Sequence, residues 1–267
     1  MTTKIKPCRH GVFAYSPVDT FIGAALERYG EYSEIEVQAL LQFLPQGGVA
    51  VDVGANIGCM TIPFARKAAF VLAFEPQRIT FQHLCANIAL NELRNVYAVQ
   101  AGVGRKAGRI KLAQTDFDAP QNLGAAALIE DAGGETTLLY ALDDHVGKCD
   151  LIKVDVEGME IDVLEGARRI IGAYRPVLYA EADRTDKAPA LIALLGEFGY
   201  RAWWHLTPLY NPANFARDGQ NAWPNIVSIN LLALPDGREP PAGLTLFSAP
   251  GGDTFEKLKA RQSGRGG

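Results

Sequence analysis

An apolar run, an acid and a turn with two glycines follow one another in Val49-Ala50-Val51-Asp52-Val53-Gly54-Ala55-Asn56-Ile57-Gly58. A short apolar run of this kind reads as a parallel strand buried on both faces. Cys59-Met60-Thr61-Ile62-Pro63-Phe64-Ala65-Arg66 then has apolar spacing compatible with a helix, and Pro63 is tolerated in a first turn. The unit is strand, glycine turn, helix. It suits a ligand that needs close backbone approach, since glycine permits the approach and a helix start leaves N–H groups free for negative charge. Phe70-Val71-Leu72-Ala73-Phe74-Glu75-Pro76 is a second buried-strand pattern, and its acid, Glu75, lies seventeen residues after Gly58. In a doubly wound sheet that acid lies beside the turn and can accept hydrogen bonds from a ribose diol.

A dinucleotide site would carry G-x-G-x-x-G. Here the pattern is Asp52-x-Gly54-x-Asn56-x-Gly58, with asparagine in the middle. It resembles the first motif of Rossmann-like S-adenosylmethionine (SAM) methyltransferases, with Glu75 in the place of the ribose-binding acid. Asp52, Gly54, Ala55, Asn56, Gly58, Glu75 and Pro76 are the cofactor candidates on this reading. A nicotinamide cofactor, or an ordinary turn with an incidental acid, stays open beside it.

The 267 residues suffice for one large α/β domain. A net charge of -4 gives no electrostatic footprint for nucleic acid. Cys8, Cys59, Cys85 and Cys149 are scattered, with no C-x-x-C pair, so they read as free thiols in a reducing compartment. The first residues lack a signal-peptide core, and no apolar run is long enough to span a membrane. The expectation is a cytoplasmic protein without a membrane span.

After a lead-in over residues 1–30, Val37, Leu40, Leu41 and Leu44 recur at helical spacing, and Ser33 with Glu36 has the capping-box pattern. A helix over 78–91 and a strand over 95–100 follow Pro76. That strand leads to Ala101, which is expected near an adenine; many SAM enzymes carry an acid here, and in its absence Gln100 or backbone groups are left to recognise the base. Short strand candidates at 109–112, 126–129 and 136–140, separated by turn residues, read as a β-rich flap inserted over about 103–140 near the active site. Leu151-Ile152-Lys153-Val154-Asp155-Val156-Glu157 is a buried strand, on which Lys153, Asp155 and Glu157 share a face if it stays extended. Further strands are expected at 175–183, 200–205 and 225–232, with a helix over 188–198 and a loop over 207–224. Residues 1–250 read as one domain, and the polar, glycine-rich 251–267 as a flexible tail.

The residues also resemble the FkbM family of SAM-dependent methyltransferases. The resemblance spans about 11–235 and rests on Gly30-Glu31-Tyr32-Ser33-Glu34, on Val51–Gly58, on Phe74-Glu75-Pro76 and on Asn122-Leu123-Gly124. Its most specific part is Leu142-Asp143-Asp144 leading to Leu151–Glu160, with Val163-Leu164-Glu165-Gly166-Ala167 behind. It implies an α/β Rossmann-like sheet of seven strands in the order 3-2-1-4-5-7-6, strand 7 antiparallel. It also implies methyl transfer to a hydroxyl of a sugar, polyketide or similar small metabolite. The segment after His205 departs from the family pattern and leaves the acceptor open.

A hydroxyl acceptor needs a base or a metal beside the methyl donor. His205 is one candidate base, and Lys153, Asp155 and Glu157 stand at the expected ligand edge of the sheet. In a competing reading Asp155 with Glu181 or Asp183 holds magnesium, by analogy of position with catechol O-methyltransferases. Tyr210, Phe215 and Trp223 in the 207–224 loop, beside Trp203 and Trp204, are expected to wall the acceptor pocket with the flap.

Overall fold

The alternation of apolar strands with helices builds a three-layer α/β structure in the computed structural model, which describes residues 2–113, 115–124, 128–129 and 134–249. The lead-in is a hairpin of β1 (Lys4–Cys8) and β2 (Gly11–Tyr15), then α1 (Ile22–Tyr29) and α2 (Glu34–Phe43). The strands β3 (Val49–Val53), β4 (Phe70–Phe74) and β5 (Val96–Val99) alternate with α3 (Thr61–Lys67) and α4 (Arg78–Leu90). Next come β6 (Gly102–Val103), β7 (Gly108–Leu112), β8 (Leu128–Ile129), β9 (Glu135–Tyr140) and the short α5 (Leu142–His145). The second half holds β10 (Leu151–Val154), α6 (Glu160–Glu165), α7 (Arg168–Tyr174), β11 (Val177–Glu181), α8 (Ala188–Glu197), β12 (Tyr200–Pro208), β13 (Val227–Pro235) and β14 (Leu246–Ser248).

The central sheet runs β14-β12-β13-β11-β10-β3-β4-β5. Strands β3, β4, β5, β10 and β11 are parallel, while β13 is antiparallel to both β11 and β12. The sheet therefore has eight strands where seven were expected. The addition is β14, whose three residues pair with Trp203, Trp204 and His205 and are too short to carry an alternation of their own. Residues 102–140 contribute a separate four-stranded sheet, β6-β9-β7-β8. Of the strand expected at 126–129, residues 126–127 lie outside the described residues, as does the expected tail 251–267. No helix among the described residues is long and apolar enough to cross a membrane.

Burial on both faces explains the near-continuous apolar strands. On β3, Val51 and Val53 pack with Ile152, Val154 and Leu178 against the α6–α8 side, including Val163, Ile170 and Leu191. Ala50 faces the other way with Val71 and Leu151, against Val37, Leu40 and Phe43 of α2 and Phe64 of α3. Two local expectations fail. Strand β10 ends at Val154, so Asp155 and Glu157 do not continue its pleat; the chain turns through Glu157 (φ 55°) and Gly158 (φ 99°). Ser33 makes no side-chain cap on α2 and is left-handed (φ 49°), so the capping-box pattern is not realised and Glu36 is free for another task.

One buried amide ties the hairpin to the turn after β3. Asn87, fully buried on α4, accepts from Ala14 N–H at 2.6 Å and donates to Ala14 O at 3.1 Å and Ile57 O at 2.8 Å. Asn87→Ala leaves these buried backbone groups unpaired, each such loss costing about 1–3 kcal/mol. Urea unfolding is expected to show a stability loss of at least that size for Asn87→Ala.

Candidate active site

The turn after β3 is held from three sides. Gly54 (φ +76°) and Ala55 donate their N–H groups to Phe74 O at 3.0 and 2.9 Å, which docks the turn on the end of β4. A Cβ on Gly54 would lie 1.8 Å from the Asp155 carbonyl oxygen, so no larger residue fits between the ends of β3 and β10. From the β4 end, Glu75 Oε2 accepts Asn56 N–H at 2.9 Å and Oε1 accepts Gln77 N–H at 2.9 Å. Glu75 is 7% exposed, and its burial pushes the carboxyl up to about 7, against those two N–H groups that pull it down.

Beneath the turn lies a buried charge group. Asp52, wholly buried, accepts from Thr61 Oγ1 at 2.6 Å and faces Lys153 Nζ at 3.4 Å across the β3–β10 register. The same ammonium donates to Gly54 O at 2.8 Å and stands 3.4 Å from Asp155. Burial works against its charge, but the pull of Asp155 and Asp52 wins, and the Lys153 ammonium is held above its ordinary value.

Two chambers meet over this group. The first, about 520 Å³ with its open mouth included, is lined by Val53, Gly54, Asn56, Phe74, Glu75, Pro76, Ala101, Gly102, Val103, Leu123, Gly124, Asp155, Val156 and Glu157. The second, about 830 Å³ out to its mouth, shares Gly54, Asn56, Glu75, Gly124, Asp155 and Glu157. It adds Ile22, Tyr32, Ser33, Glu36, Ala55, Cys59, Met60, Asn122, Lys153, Glu181 and Ser228. The 122–124 turn lines both chambers and is fixed to the lead-in, where Gln121 N–H donates to Val18 O at 3.1 Å and Thr20 N–H donates to Gln121 O at 3.0 Å.

The candidates read from sequence divide accordingly. Gly54, Ala55, Asn56, Glu75, Pro76, Ala101, Lys153, Asp155 and Glu157 line one chamber or both. Asp52 and Gly58 act from behind: Asp52 through Lys153, Gly58 by close packing, a Cβ there meeting Leu84 Cδ1 at 2.9 Å. Gln100 is exposed and lines neither chamber, since β5 ends at Val99 and turns it outward. His205 also lines neither. It is 3% exposed, its Nδ1 is 2.9 Å from Tyr179 OH, and burial pulls the imidazole down to about 4.

The magnesium reading finds no support. Among the described residues no three His, Cys, Asp or Glu side chains group to hold a metal ion. Asp155 is paired with Lys153, Asp183 is exposed outside both chambers, and burial with Asp155 and Asp183 pushes the Glu181 carboxyl up to about 10. The Lys153 ammonium competes with a hard cation for the Asp155 oxygens. The aromatic loop does not wall a chamber either: Tyr210 packs on Tyr29 of α1, and Trp223 on Tyr29 and Phe21. Phe215 is exposed outside both chambers.

Sequence reasoning missed Ile22, Tyr32, Glu36 and Ser228 as lining residues. Gly30-Glu31-Tyr32-Ser33-Glu34 was one available signal; nothing local marked Ser228. Removing the ammonium tests the charge group. Lys153→Met strands a fully buried Asp52, and breaking a buried pair costs about 3–5 kcal/mol. Denaturant unfolding is expected to show that loss, with partial recovery when Asp52→Leu is added.

The methyltransferase FkbM domain model matches residues 52–202. Methyltransferase sdnD of Sordaria araneosa is 31% identical over 205 aligned residues, covering 60% of this chain and 78% of that protein. Hexuronic acid methyltransferase AglP of Haloferax volcanii is 30% identical over 135 residues, covering 49% of this chain, and the chain spans only 54% of AglP. Among solved structures, Trm5b of Pyrococcus abyssi superposes with a TM-score of 0.50 at 15% identity, over 88% of this chain and 56% of that one, which is a likeness of fold alone. The FkbM match covers more than half of the sequence and includes the Asp52–Gly58 turn, Glu75 and the end of β10, and on that ground the chain belongs to the FkbM methyltransferase family.

Proposed function

We propose that this chain is a SAM-dependent O-methyltransferase acting on a hydroxyl of a small metabolite. The carrying observation is the pair of chambers joined at Gly54, Glu75 and Asp155. The first suits a nucleoside: Pro76, Ala101, Val103 and Leu123 offer apolar contact for a base, and the buried Glu75 carboxyl offers an acceptor for a ribose diol. When bound, SAM supplies an electrophilic methyl group on a sulfonium. The chain's part is to hold donor and acceptor in line, chiefly an orientation effect. On this reading β5, β4, β3, β10, β11, β13 and β12 are the family's seven strands, with β14 added, all within one domain over residues 1–250.

The second chamber supports a polar acceptor. Glu36, Ser33, Asn122, Asp155, Glu157, Glu181 and Ser228 face it together with the Lys153 ammonium. Asp155 and Glu157 serve in this reading as acceptor-positioning acids. An excess of carboxyls over cations is the reverse of what a phosphate backbone needs, which favours a small molecule over nucleic acid. A saccharide is one such acceptor, a class that AglP's name also carries.

Calorimetry with SAM tests the cofactor half. Glu75→Ala is expected to weaken binding by about 1.5–3 kcal/mol, the range for a hydrogen bond to a charged group. The carboxyl in the free protein sits at about 7, so affinity should rise as pH rises through 7 and an ionised acceptor forms, while Glu75→Gln should flatten that dependence. In the absence of ligand the sign is opposite for folding. Stability from keeping Glu75 neutral is full below the ordinary carboxyl range and is lost as pH rises through 7. Unchanged SAM affinity in Glu75→Ala, or no binding by the unaltered chain, contradicts the reading.

A further inference from the structure

Glu36 stands in the first turn of α2, where an acid ordinarily serves the helix end. Here it does something else. Its side chain is 5% exposed, lines the second chamber, and takes its hydrogen bonds from hydroxyls. Thr207 Oγ1 donates to Glu36 Oε1 at 2.9 Å, and the Ser228 and Tyr179 hydroxyls neighbour the carboxyl. Behind Tyr179, whose hydroxyl is 2.9 Å from His205 Nδ1, lies the buried imidazole. A neutral imidazole can donate its Nδ1–H to the phenol oxygen and leave the phenol hydrogen for Glu36.

Three other carboxyls around this chamber are committed to partners. Asp155 faces Lys153 at 3.4 Å, and Glu157 accepts from Arg184 at 3.0 Å. Glu75 holds the N–H groups of Asn56 and Gln77, whereas burial among Asp155, Asp183 and Glu157 pushes the Glu181 carboxyl up to about 10 and its Oε2 has no hydrogen-bond partner among the described residues. Among the described residues Glu36 has no ion-pair partner, and its hydrogen bond comes from the Thr207 hydroxyl, with Ser228 and Tyr179 beside it.

We propose that Glu36 is the general base that takes the proton from the acceptor hydroxyl, with Tyr179 and His205 as positioning residues. The inference rests on reading the second chamber as the acceptor chamber. As the acceptor O–H bond breaks, its proton passes to a Glu36 carboxylate oxygen. The acceptor oxygen forms the new bond to the methyl group, and the electron pair of the broken carbon–sulfur bond stays on sulfur. The sulfonium and carboxylate charges disappear together, and the proton leaves Glu36 to solvent after product release. The surroundings suit the role: burial raises the carboxyl above its ordinary value, the Ser228 and Thr207 hydroxyls lower it, Asp155 raises it and Lys153 lowers it, with a net rise. A base works best when its pKa approaches the working pH.

The test measures S-adenosylhomocysteine release by the full chain with a panel of methyl hexosides and methyl hexuronosides. Glu36→Gln should lower turnover by about 10²–10⁴-fold with S-adenosylhomocysteine affinity unchanged. Tyr179→Phe removes a donor to the carboxylate, so the acid limb of the pH–rate profile should move to higher pH, an effect that mere structural support would not give. Turnover in Glu36→Gln within threefold of the unaltered chain overturns the proposal. If no panel member is methylated although the cofactor product binds, the saccharide reading of the acceptor falls, and Glu36 is judged by carbon-13 NMR of its carboxyl in the product-bound chain. A titration above the ordinary glutamate range that shifts in Tyr179→Phe supports the proposal, and an ordinary titration overturns it.

Discussion

The Lys153–Asp52 contact holds the site together. An ammonium and a carboxylate with almost no exposure are costly to bury unless each has further partners. Here they do: Thr61 Oγ1 on the aspartate, Gly54 O and Asp155 on the lysine. The pair crosses from β3 to β10 and so fixes the register of the two strand ends that frame the glycine turn. It also clamps the Gly54 carbonyl, which aims the turn's N–H groups toward β4 and leaves its open side to the chambers. Without it, neither the 1.8 Å constraint at Gly54 nor the Glu75 clamp on Asn56 has a rigid floor.

From that floor the carboxyls around the chambers take different states by environment alone. Asp155 is neutralised by an ammonium and Glu157 by a guanidinium, while burial among other acids pushes Glu181 up to about 10. Among the described residues Glu36 accepts from the Thr207 hydroxyl, and Glu75 from two backbone N–H groups. Carboxyl groups thus have distinct chemistry within one cavity, the usual means by which a site separates binding from proton transfer.

What could be read from sequence was what local order determines. Asp52, Gly54, Asn56 and Glu75 stand at the ends of two strands whose pattern is unmistakable, and the family resemblance added Asn122-Leu123-Gly124, which does line the chambers. Lys153 was legible as a charge in a buried strand, though its partner Asp52 lies 101 residues away and follows only from register. Glu36 was misread because Ser33 and Glu36 have capping spacing, while the competing partner, Thr207, is 171 residues distant. His205 looked suited to catalysis by type alone, since nothing local shows that β14 and β13 flank its strand and bury it. The loop aromatics were assigned to an acceptor because their packing partners, Phe21 and Tyr29, sit at the far end of the chain.

The central claim is that the two chambers divide one reaction, with the cofactor in the first and the acceptor in the second. A crystal structure of the full chain with S-adenosylhomocysteine tests it most directly. The account expects the ribose on Glu75, the base against Pro76 and Val103, and the sulfur at the Gly54–Asp155 junction facing Glu36. A nucleoside in the second chamber, or a sulfur turned away from Glu36 and Asp155, contradicts it.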